Sequence, residues 1–70
     1  MLTYKNKIYC LMNKDLEFID EYFNTTKDIR EAIGWQTIEQ AKKERAELDE
    51  PDEFKIVEKT VYFEITKIID

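Results

Sequence analysis

The chain has 70 residues, with 16 Asp and Glu against 11 Lys and Arg, one cysteine, one glycine, and neither histidine nor serine, for a net charge of −5. These counts exclude an intrachain disulfide, the usual zinc frameworks and any site built on imidazole. The length predicts a single domain, residues 1–70, with a small core, and a hydrophobic content of 43% sets the chain apart from disordered ones.

In chain order, residues 3–12 alternate at their start and read as a strand, with Ile8, Cys10 and Met12 on one face and Tyr9 and Leu11 on the other. Asn13-Lys14-Asp15 has turn chemistry. Residues 16–23 fit either a helix or a strand, and their aromatic content favours a hairpin partner of the first strand. As a strand they would point Ile19 and Phe23 away from the core face, so those two side chains would need a cover.

Asn24-Thr25-Thr26 supplies helix N-cap candidates. Ile29, Ala32 and Ile33 fit one face of a short helix, and Gly34 stands where its C-cap belongs. Thr37-Ile38-Glu39-Gln40 matches a capping box and predicts a second helix from about Ile38 to Leu48, with Ala41 small enough for close packing on a sheet. Pro51 ends that region. The segment from Phe54 onward is β-branched and aromatic. Phe54 and Ile56 alternate in one phase, and Val61, Phe63 and Ile65 in the other. The shift predicts one long, bent strand with a bulge or tight turn between Val57 and Thr60. The expected fold is α+β, a ββααβ domain with two short helices on one face of a three-stranded, largely antiparallel sheet.

Charge is unevenly placed. Residues 44–53, ERAELDEPDE, hold six acids and one base, and the other sixty residues balance. Solvation accounts for most charge runs, but so dense a run also projects a field that steers association with a basic surface. The candidate contact residues are therefore Glu44, Glu47, Asp49, Glu50, Asp52 and Glu53. Trp35 and Tyr62 join them as aromatic residues suited to an interface. Cys10 reads as a small buried apolar residue.

Catalytic chemistry is poorly provided for. A Ser-His-Asp triad and a Cys-His dyad cannot be assembled from this composition, and one glycine makes no phosphate-binding loop. Paired carboxylates remain, but two thin layers leave little room for a cleft between them. Calcium-loop spacing fails at Asp49–Glu53, where Pro51 interrupts and no glycine is present. The expectation is a protein that binds rather than transforms, without metal or cofactor. The dispersed Lys and Arg argue against direct nucleic-acid binding. No secretory or membrane-spanning pattern is evident, and a cytoplasmic location is expected.

The run TIEQAKKERAELDEPDEFKIV, a capped helix, an acidic linker and a closing strand, resembles the small acidic accessory proteins of phages and mobile elements of Gram-positive bacteria, anti-CRISPR proteins among them. The resemblance implies an inhibitor that docks on a larger protein with a basic groove, such as a host defence or nucleic-acid enzyme, and imitates phosphates with its carboxylates. The alternative is a structural or regulatory homo-oligomer, a homodimer in the simplest case, held by strand edges with Ile19 and Phe23.

Overall fold

The computed structural model of the chain describes residues 2–70. It has four strands, β1 (Leu2–Asn13), β2 (Phe18–Ile19), β3 (Thr25–Thr26) and β4 (Phe54–Ile65), and one α-helix, α1 (Ile38–Ala46). Single 3-10 turns occupy Ile29–Glu31 and Pro51–Glu53. The sheet is antiparallel in the order β3-β2-β1-β4. The expected ββααβ arrangement, with two helices on a three-stranded sheet, is therefore incorrect.

The first of the two expected helices is replaced by extended chain. Asp28 caps the 3-10 turn by accepting from Arg30 N and holds the Arg30 guanidinium at 2.8–3.0 Å. That pairing pulls the Asp28 carboxyl pKa down to about 2, chiefly through the side-chain bond from Arg30. Beyond the turn the backbone is committed elsewhere. Ile33 N donates to Ile19 O, Ala32 bridges Asp20, and Trp35 exchanges two 2.9 Å bonds with Tyr9. Groups bound to neighbouring strands are not free to close i to i+4 helical bonds.

α1 begins where the capping box predicts. Thr37 Oγ1 accepts from Gln40 N at 3.1 Å. Gln40 Oε1 reaches back one residue further than the box requires, to Gln36 N at 3.2 Å.

β1 and β4 pair without interruption from Leu2↔Ile65 to Asn13↔Phe54, so the expected bulge is absent. The shift in apolar phase has a different cause, because the two faces are covered at different places. On one face Cys10, Phe18 and Ala32 form a buried cluster, with Ile8, Met12 and Val57 packed against it. Lys59, on this same Cys10 face, ties down the 3-10 turn by donating to Ile29 O at 3.0 Å and Ala32 O at 3.1 Å. On the opposite face Leu11 is fully buried, and α1 lies over Tyr9 and Ile56. Arg45 of α1 donates to Phe54 O on that side at 3.4 Å. Phe54 and Ile56 therefore serve the Leu11 face, and Val57, Val61, Phe63 and Ile65 serve the Cys10 face. A regular strand meets both needs without a bulge.

Gly34 does not cap a helix, and its φ is not positive. Its role is close approach, because Ile8 lies directly on it. A Cβ there would collide with Ile8 Cδ1 and sit 2.8 Å from Cγ1 and 3.0 Å from Cβ. Gly34→Ala is expected to lower unfolding free energy by about 1–3 kcal/mol. In an Ile8→Ala background the same substitution should cost much less. Urea titrations of the four species of that double-mutant cycle check the coupling, and additive costs would refute the contact.

The molecule is elongated, 49 × 23 × 19 Å. Part of that length is an arm, Leu2–Lys7 paired with Thr60–Ile65; Ile29 and Arg30 of the 3-10 turn still line a groove with Thr60 and Val61 at the arm's base, and its outer end is exposed.

Candidate functional site

Five of the six acids lie at the end of the sheet opposite the arm. Glu47 is the C-cap of α1, Asp49 and Glu50 follow in an exposed bend, and Asp52 and Glu53 form the 3-10 turn that leads into β4. Glu44, the sixth, is half-buried in the last turn of α1. Among the described residues the ion pairs are Lys7 with Glu58 and Asp28 with Arg30, and neither includes one of the six.

Their placement opposes helix stability. The C-terminal end of a helix carries partial negative charge, and carboxylates beside it are unfavourable by about 0.3–1 kcal/mol each. Lys43 and Arg45 offset part of this. A run that costs stability in its own helix is more informative than one scattered over a solvated face.

Leu16 joins this end and had not been singled out from the sequence. It shares an open groove with Met12, Asn13, Asp52 and Glu53, and the groove is also lined by Lys14 and Lys55. It is 65% exposed and takes a left-handed backbone conformation, φ 60°. Phe23 does the same at the next turn, also with φ 60°, and is likewise exposed. The two turns are built alike. Asn13 Oδ1 accepts from Asp15 N and Glu17 N, and Asp20 Oδ1 accepts from Tyr22 N and Asn24 N. Leu16 N donates to Asn13 O, as Phe23 N does to Asp20 O.

Such a turn ordinarily places glycine or asparagine at the left-handed position. The strain of a bulky residue there is about 1–2 kcal/mol. The sequence carries no mark of either position, since neither Leu16 nor Phe23 is a glycine or asparagine. Leu16→Asn and Phe23→Asn are each expected to stabilise the chain, raising Tm by about 2–8 °C. Differential scanning calorimetry reads the shift, and a lowered Tm in both variants would contradict the strain.

The aromatic candidates fall elsewhere. Trp35 is half-buried on the open side of β1, bonded to Tyr9. It precedes α1, so the length of that helix, about 14 Å, separates it from the acidic end. Tyr62 belongs to the arm. Lys5 Nζ sits 5.8 Å from its ring centroid, and its hydroxyl donates to Glu64 at 3.0 Å. The fold therefore gathers the acids and Leu16, and leaves Trp35 and Tyr62 apart from them.

No protein family model, curated protein or solved structure gives a significant match to this chain. The arrangement itself must carry the functional reading. Cys10 is fully buried, and that burial pushes its thiol pKa up against the opposing pull of Lys59, which favours the unreactive protonated form. Among the described residues no group of three or more Cys, Asp or Glu is disposed to hold a metal ion. No helix among them is long and apolar enough to cross a membrane.

Ile19 is buried and is not available to a second molecule, whereas Phe23 is exposed.

Proposed function

We propose that this chain is a non-enzymatic binding protein whose acidic end docks on a basic surface of a larger protein. The observation that carries the reading is the pairing of carboxylates that take part in no ion pair among the described residues with an exposed, strained apolar residue. Glu47, Asp49, Asp52 and Glu53 supply the field, and Leu16 supplies an anchor beside Asp52 and Glu53. Charges steer and orient an encounter, and a central apolar group surrounded by a polar rim holds it.

A groove built for nucleic acid fits this chemistry best, because carboxylates spaced along a turn can occupy positions meant for phosphates. A nucleic-acid enzyme, including a host defence enzyme, is the partner class. The likeness to small acidic phage accessory proteins points the same way.

The test is capture from a cell lysate on immobilised chain, at low and at raised salt. The expected partner is basic and is released as salt rises, since exposed charge contacts are screened within about 8 Å at physiological ionic strength. Leu16→Asp, which removes the apolar anchor but not the acids, should abolish retention. A partner held equally by the wild type and by a chain with its acidic end reversed would refute the reading.

A further inference from the structure

The arm poses a separate problem. A two-stranded ribbon is marginally stable in water at best, and the outer end of this one, Leu2–Lys5 with Tyr62–Ile65, is exposed throughout. From the strand register its Cys10 face carries Leu2, Tyr4 and Asn6 from β1 and Val61, Phe63 and Ile65 from β4. That face has no ionisable side chain apart from the Tyr4 phenol, and Asn6 is its one other polar group. The reverse face carries Lys5, Lys7, Tyr62 and Glu64, with their own partners: Lys5 over Tyr62, Tyr62 with Glu64, and Lys7 with Glu58. One side of the arm is therefore made for water and the other is not.

We propose that the uncharged face of the arm is covered by the same face of a second copy of this chain, in a two-fold sheet-on-sheet contact. Three observations select a second copy as the occupant. First, the excess charge that would keep two copies apart is remote. All of the net −5 resides in residues 44–53, and the rest of the chain is neutral. Asn13 and Phe54 mark the acidic end, and Leu2 and Ile65 mark the tip. Eleven residue steps along the strand, about 36 Å, separate them, several times the screening length of about 8 Å.

Second, the area is sufficient. Leu2, Tyr4, Phe63 and Ile65 are each more than half exposed, together roughly 500 Å². Two copies therefore bury roughly 1,000 Å² between them, the lower bound of a specific interface. Third, the face is built from apolar and aromatic side chains that can pack on their own copies. Tyr4 and Phe63 form a tilted cross-strand pair, with ring centroids 6.2 Å apart. Two such sheets stacked about 10 Å apart interdigitate these rows without burying a charge.

The dimer stands apart from docking by the acidic end, because its response to salt has the opposite sign. Apolar association with residual like-charge repulsion holds or tightens as salt rises, whereas acidic docking loosens. Sedimentation velocity on the full chain across a dilution series, at low and raised salt, measures the dimer constant. The expected result is a concentration-dependent dimer not weakened by salt. Phe63→Asp places a carboxylate on the uncharged face and is expected to raise the dimer Kd on the order of 100-fold or more. Thr60→Asp places the same charge on the reverse face of the same strand and is expected to leave it within about 3-fold. Far-UV circular dichroism of both variants reports whether the sheet persists. A wild-type chain that stays monomeric up to about 1 mM would overturn the proposal. So would equal loss of dimer in both variants, or none in Phe63→Asp.

Discussion

Leu11→Ala is expected to leave much of the chain unfolded at 25 °C. Leu11 is fully buried, one of the two largest side chains to be so. It projects to the face under α1, whose own buried contribution is Ala41 alone. Truncating so fully enclosed a side chain leaves a cavity that the surrounding backbone of the sheet and helix fills only in part. Removing a buried leucine costs about 2–5 kcal/mol, and a single core in a domain of this length supplies about 3–5 kcal/mol. Urea unfolding followed by circular dichroism and Trp35 fluorescence reads the loss. Ile69→Ala, on an exposed residue after β4, should stay within about 0.5 kcal/mol of wild type. A Leu11→Ala midpoint indistinguishable from wild type would mean that α1 does not enclose this residue.

Reversing Glu47, Asp49 and Asp52 to lysine is expected to move stability and binding in opposite directions. The three changes add six charges and take the net charge from −5 to +1. At the C-terminal end of α1, positive charge is favourable. Glu47→Lys alone should therefore gain about 0.3–1 kcal/mol. Binding to the basic partner should weaken at least about 10-fold, mostly through slower association, and its dependence on salt should flatten. Calorimetry of the isolated chain and surface binding to the captured partner measure the two effects. A variant that is destabilised and also binds poorly would have lost its fold rather than its contact. A variant that is stabilised and binds normally would show that the acids are merely solvated. Leu16→Asn is expected to show the same opposition, which ties the two features to one surface.

What could be read from the sequence depended on how local its cause was. α1 was legible because Thr37 and Gln40 cap it within one turn of chain. β1 was legible because its apolar spacing is its own. The segment 29–34 was not, since its helical spacing is real but its backbone is claimed by Ile19 and Asp20, residues 14 and 12 positions away. The change of phase in β4 was visible, and its meaning was not. One covered face is the usual assumption in reading alternation, and here each face is covered over a different part of the strand. The acidic end was legible as a count of charges. Leu16 was missed because it lies in a turn whose left-handed position gives no glycine to mark it. The uncharged face of the arm needed the register, which places Tyr4 beside Phe63 across most of the chain's length.

That register also sets the order in which the molecule can be made. β1 residues wait for partners between 41 positions away, for Asn13 and Phe54, and 63 positions away, for Leu2 and Ile65. At ribosomal rates of ~5–20 residues per second, the first strand emerges roughly 2–13 s before its β4 partner exists. During that interval the six uncharged residues Ile8–Asn13 stand open to any other nascent strand. Lys5, Lys7 and Lys14 bracket them, and repulsion between these ammonium groups on neighbouring chains guards the segment until β4 arrives.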